Sequence, residues 1–117
     1  MPELTDPELL ACYKNALANW AFTDYVILLP RAFEWMQLEL EGWPAKEVAR
    51  LMFEYVRDGG KIDQQIEIRP EWNDSKYHFD LRIPVSKKLI YFETRLWYKN
   101  PDDPDDPRIY VVNIHYA

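Results

Sequence analysis

Apolar residues change their period once along this chain, at Gly59-Gly60. Before that point they recur every three or four positions, as on a helix packed along one side; after it they alternate, as on a half-buried strand. Leu9, Tyr13, Ala16, Leu17 and Trp20 form the first helical stripe. It opens at Thr5-Asp6-Pro7-Glu8, where a capping side chain, a proline in the first turn and an acid near the positive end of the helix dipole coincide. Phe33, Met36 and Leu40 predict a second helix from about Arg31 to Glu41, with Gly42 suited to its C-terminal cap. Val48, Leu51, Met52 and Tyr55 predict a third, which starts at Pro44 and ends at Asp58-Gly59-Gly60. Residues 21–30, AFTDYVILLP, fit an extension of the first helix, a short strand, or a helix capped at Thr23, with a boundary or kink at Pro30.

Four strands are expected after the glycines: Lys61 to Arg69, Lys76 to Ile83, Lys88 to Tyr98 and Arg108 to Tyr116. The connections RPEWNDS, PVSK and NPDDPDDP are rich in residues that favour turns. Helices followed by strands predict one α+β domain over residues 1–117, helical in 1–60 and sheet in 61–117. Its simplest form packs two or three N-terminal helices on one face of a four-stranded antiparallel β-meander.

Alternation then assigns each strand residue to a face. Tyr77, Phe79, Leu81 and Ile83 fall on one side, and His78, Asp80 and Arg82 on the other. In the third strand Ile90, Phe92, Thr94 and Leu96 face the helices, leaving Leu89, Tyr91, Glu93, Arg95 and Trp97 outward. In the fourth, placing Tyr110, Val112 and Ile114 inward puts Asn113 and His115 on the open face, where Glu67 and Arg69 join them.

His78, Arg82, Arg95 and His115 are the candidate catalytic residues of that face. Histidine transfers protons near neutral pH, and arginine stabilises a phosphate or a developing anion. Tyr91, Glu93, Trp97 and Asn113 are the candidate binding residues. The same composition also describes a solvated or partner-covered face laced by cross-strand ion pairs such as Asp80 with Arg95 and Arg82 with Glu93.

Composition narrows these readings. The chain has 117 residues, 48% hydrophobic and 15% aromatic, enough for one core. A net charge of −6 opposes a protein whose main task is to coat nucleic acid. Cys12 is the lone cysteine, and no Cys/His set has zinc spacing, so the residues imply neither a metal nor a cofactor. The acids of NPDDPDDP lack the glycine and terminal glutamate of a calcium loop. The start MPELTDPELL carries acids where a secretory signal is basic, and the run YVILLP is far shorter than the roughly 20 residues that span a bilayer. A soluble, cytoplasmic protein with no membrane contact is expected. A homodimer through Leu89, Tyr91 and Trp97, or through an edge strand, would use the excess of aromatic residues.

From Leu29 to Tyr116, the segment LPRAFEWMQLELEGWPAKEVARLMFEYVRDGGKI and the strands after it resemble the layout of the RelE/BrnT-like toxin superfamily. The matching pieces are Phe33-Glu34-Trp35-Met36, Gly42, Glu47-Val48, Gly59 and Ile109-Tyr110-Val111-Val112-Asn113-Ile114. The resemblance implies helices packed on an antiparallel meander, a metal-independent ribonuclease and an antitoxin that covers its active face. By strand position, Arg82, Tyr91, Arg95 and His115 correspond to active-face residues of such toxins. The chain departs from the family in its acidity, its extra N-terminal helix and Pro30-Arg31, where some relatives carry a histidine. A domain of this layout that binds a protein partner through its open sheet face or edge is the leading expectation, with the ribonuclease as the alternative.

Overall fold

In chain order the computed structural model contains α1 (Pro7–Ala18), β1 (Val26–Leu28), α2 (Pro30–Glu39), α3 (Ala45–Arg57), β2 (Ile62–Ile66), a single 3-10 turn (Pro70–Trp72), β3 (Tyr77–Val85), β4 (Lys88–Tyr98) and β5 (Pro107–Tyr116). It describes residues 2–73, 75–98, 100, 102–103 and 105–117. The fold is α+β, with three helices and one five-stranded mixed sheet of order β1-β5-β4-β3-β2. None of its described helices is long and apolar enough to cross a membrane.

Each helix follows from local signals. The Asp6 carboxylate accepts from the backbone N–H groups of Glu8 and Leu9 at 2.9 and 3.1 Å, which satisfies two donors that the first turn leaves unpaired. Tyr13, Ala16 and Leu17 then point into the core from α1, Ala32 and Met36 from α2, and Val48, Ala49, Met52 and Val56 from α3. Gly60 is required where α3 gives way to β2, because a Cβ there would stand 2.5 Å from the Tyr55 ring.

Phe79, Leu81, Ile83, Ile90, Phe92, Ile109, Val111 and Ile114 supply the sheet side of the core. One polar contact is sealed within it. The Tyr13 hydroxyl donates to Thr94 Oγ1 at 2.7 Å, and Thr94 donates onward to the Phe79 carbonyl at 2.6 Å, which ties α1 to β3 and β4. Burial pushes the Tyr13 phenol well above its ordinary value.

Two expectations are corrected. The sheet is mixed and five-stranded rather than a four-stranded antiparallel meander, because Val26–Leu28 pairs in parallel with Ile109–Val111. The helical half of the chain therefore contributes a strand, and residues 21–30 form neither an extension of α1 nor a helix capped at Thr23. Tyr110 is not an inward residue of the core, whereas Val112 is buried. A bulge lies between the pairs Glu93–Asn113 and Thr94–Val111, so Val112 faces no residue of β4. Ile109 and Val111 face the helices before the bulge, Ile114 after it, and Tyr110 stands on the open face.

Candidate functional site

The register arranges the open face in rows across the strands. Arg82, Tyr91 and His115 stand abreast on β3, β4 and β5. The next row is Asp63, Asp80, Glu93 and Asn113, three adjacent carboxylates closed by an amide. Gln65 and His78 are paired in the row beyond, as are Arg95 and Tyr110. Trp97 and Arg108 form a pair one row further on. Like charges directly opposite one another destabilise a sheet unless each finds a counter-ion, so the acidic row dictates what its neighbours do.

Every member of the row is answered. Arg82 Nη1 bonds Asp63. His78 Nδ1 lies 2.8 Å from Asp80 Oδ1 and must carry the proton of that contact, since a carboxylate can only accept. Glu93 is held by Arg69, by Arg95 at 3.5 Å and by the Asn113 amide at 3.2 Å. Burial acts to raise the Glu93 carboxyl, but its bonds from Arg69 and Asn113, aided by nearby positive charge, hold it below the ordinary value.

Glu67 extends the network. Arg69 Nε donates to it at 2.8 Å and Arg95 Nη2 at 2.6 Å. The Arg69 bonds, with Arg95 assisting against the cost of burial, lower its carboxyl to about 2. Arg69, which bonds both Glu67 and Glu93, is raised in turn by them.

Arg95 is the hub, and it retains only 2% of its surface. Besides the two glutamates it donates to the Tyr77 carbonyl at 3.2 Å. Trp72 covers it, with the guanidinium carbon 4.2 Å from the ring centroid. Pro70 turns the chain after Arg69, and the resulting 3-10 turn carries Trp72 back over the sheet.

The candidate catalytic residues consequently divide. His78 and Arg95 belong to one end of the face, Arg82 and His115 to the other, and the acidic row runs between them. His78 and Arg82 are four residues apart on β3, roughly 13 Å along a strand. The second nitrogen of His78 also faces an acid, Glu67, at 3.8 Å. His115 is exposed, stacks on Tyr91 with centroids 4.6 Å apart, and turns Nδ1 toward the Tyr116 carbonyl.

The candidate binding residues remain on the face. Tyr91 is half-buried under the Arg82 guanidinium, which lies 5.3 Å from its ring, and burial together with the Asp80 carboxylate raises its phenol. Trp97 stacks on Tyr110, with centroids 4.5 Å apart and the planes 10° from parallel. Arg108 lies over the Tyr25 ring and bonds Asp106 at 2.9 Å.

The expected ion pairs Asp80–Arg95 and Arg82–Glu93 do not form. Asp80 takes His78, Arg95 takes Glu67 and Glu93, and Arg82 takes Asp63. Asp63 was legible from alternation after Ile62 but was not singled out. Trp72 belongs to the connection RPEWNDS, where nothing local says which surface the turn covers.

Among the described residues, no group of three or more His, Cys, Asp and Glu side chains is placed to hold a metal ion. Part of the calcium-loop question falls on Pro101 and Pro104, which lie outside the described residues. Comparison with protein-family models, with curated proteins and with solved structures finds nothing that matches this chain.

Proposed function

We propose that this chain is a protein-binding module of RelE-like layout that recognises its partner on the open sheet face and along the adjoining β2 edge. The observation that carries this reading is the sealing of Arg95 between Glu67, Glu93 and the Trp72 ring. With both His78 nitrogens also turned to carboxylates, the acid–base groups at this end of the face are spent on one another. What the face offers outward is a set of rings held in place: Trp72, the Tyr91–His115 stack and the Trp97–Tyr110 stack. Ring-rich patches that lose little side-chain entropy on binding suit protein recognition.

The β2 edge adds a second element. Pro2–Leu4 runs along its first half, with Leu4 N–H bonded to Ile62 and Gln64 N–H to Pro2. Beyond that segment, Ile66 and Ile68 are 72% and 89% exposed. Exposed isoleucines beside a sheet edge suit an added strand from another protein.

Site-specific photo-crosslinking tests the proposal. Probes at Tyr91, Asn113 and Ile68 are expected to capture the same protein, while a probe at Arg50 on α3 does not. The pair Tyr91→Ala/Trp97→Ala is expected to weaken that complex at least tenfold, about 1.4 kcal/mol, and His78→Gln to leave it intact. Cleavage of single-stranded RNA without metal by the wild type, abolished in His78→Gln or His115→Ala, would overturn the proposal in favour of the ribonuclease.

A further inference from the structure

Tyr55, Lys61, Asp63 and Arg82 line an open depression of about 410 Å³ at the end of the face nearest α3. Its wall is fixed by Tyr55, whose hydroxyl accepts from the Lys61 N–H at 3.0 Å and donates to the Lys61 carbonyl at 3.1 Å. Asp63 is buried to within 6% of its surface. One of its oxygens, Oδ2, takes the Arg82 bond. The other, Oδ1, is buried and accepts no hydrogen bond; the Lys61 ammonium stands 3.6 Å away, beyond hydrogen-bond reach. The ammonium offsets part of the cost of burying this acceptor, and a donor arriving from the depression would supply the hydrogen bond it lacks.

Charge makes the second demand. Lys61 and Arg82 both converge on the single Asp63 carboxylate, so two cations meet one acid among the described residues that line the depression, in a chain of net charge −6. Arg82 is pinned through Nη1, and the rest of its planar fork makes no hydrogen bond among the described residues. Such a fork suits the two oxygens of a carboxylate or phosphate. A plain anion would meet the charge and leave Asp63 Oδ1 unanswered. A neutral polyol would do the reverse.

We propose that this depression binds a small hydroxylated anion, one whose phosphate or carboxylate lies against Arg82 and Lys61 while a neighbouring hydroxyl donates to Asp63 Oδ1. The site is independent of the partner-binding reading, since it needs neither the ring stacks nor Ile66 and Ile68.

Calorimetry with glycerate, glycerol 3-phosphate, acetate, inorganic phosphate and glycerol tests it, with amide shifts of Lys61, Asp63 and Arg82 locating any binding. Glycerate or glycerol 3-phosphate is expected to bind at least tenfold more tightly than its unhydroxylated counterpart and than glycerol; which of the two wins identifies the anionic group. Lys61→Gln, at a largely exposed side chain, is expected to weaken binding at least fivefold, and Asp63→Asn to erase the preference for the hydroxyl. Arg82→Lys provides a further variant that keeps a charge opposite Asp63 and is expected to weaken binding through loss of the fork. Equal binding of hydroxylated and plain anions, no binding of any probe at about 10 mM, or unchanged binding in Lys61→Gln and Arg82→Lys would overturn the proposal.

Discussion

Trp72 lies over Arg95, its ring centroid 4.2 Å from the guanidinium carbon, and covers a buried charge of the open face. The contact joins a residue of the β2–β3 connection to one in the middle of the sheet. Trp72→Ala is expected to cost about 2 kcal/mol, the upper end for a desolvated cation–π pair. Urea unfolding measures the loss, and faster solvent exchange of the Arg95 Nε–H, followed by NMR, shows whether the lid is its cause. A loss of a few tenths of a kcal/mol with unchanged exchange would mean that Trp72 does not seal Arg95.

Removing Arg95 takes one of two guanidinium partners from Glu67 and Glu93, leaving Arg69 to serve both carboxylates. Arg95→Ala is expected to cost about 3–5 kcal/mol, as does breaking other buried ion pairs from one side. Adding Glu67→Gln removes one of these two charges, so the double variant is expected to be less destabilised than the sum of the single ones by about 1–3 kcal/mol. Chemical denaturation of the four proteins of this cycle gives the coupling directly. Additivity within error would show that Glu67 and Arg95 do not depend on each other.

Acid is expected to unfold the protein through Glu67. Its folded carboxyl is lowered to about 2 from a reference of 4.5, chiefly by Arg69 and Arg95. A depressed acid stabilises the fold fully above its unfolded value and loses that contribution as pH falls toward the folded one. Stability should therefore decline between about pH 4.5 and pH 2, with Glu67 accounting for on the order of 3 kcal/mol. Denaturation midpoints across that range test it, and Glu67→Gln is expected to flatten the profile.

The bulge makes a prediction about length. Deleting Val112 joins the pairs Thr94–Val111 and Glu93–Asn113 into one regular register without moving any other β5 side chain to the opposite face. That deletion is expected to be tolerated at about 1–2 kcal/mol or less, a typical cost of a single change. Deleting Ile109 instead sends Arg108 toward the core side, because a one-residue slip reverses the faces of a strand. Thermal unfolding of the two deletions separates the outcomes; equal damage would remove the special role of Val112.

Signals close in sequence were legible without the structure. Asp6 caps α1, and Tyr13, Ala16 and Leu17 are its buried stripe. Alternation placed Phe79, Leu81, Ile83, Ile90 and Phe92 inward, and His78, Tyr91, Glu93, Arg95, Trp97, Asn113 and His115 on one open face. β1 was one of three readings left open for residues 21–30, because it is three residues long and its partner, Ile109–Val111, lies more than eighty positions away. Alternation failed on β5 at Tyr110, because a bulge is decided by the fit between two strands rather than by either one alone.

The sequence by itself determined the class of the fold and most of the membership of the open face, Tyr110 excepted, since helical and strand periods and the two-residue alternation are properties of consecutive residues. Only the tertiary structure decided what those residues do to one another. Register set Asp63, Asp80 and Glu93 side by side, and their repulsion and burial recruited His78, Arg69, Arg82 and Arg95 as partners. Strand register and the path of the 3-10 turn, not the residue types, set Arg95 beside Glu67 and Glu93 and buried it beneath Trp72. Ion pairing depends on distances between chain segments that meet only when the sheet closes, and those distances set Arg82 against Asp63, His78 against Asp80, and Arg69 and Arg95 against Glu67 and Glu93.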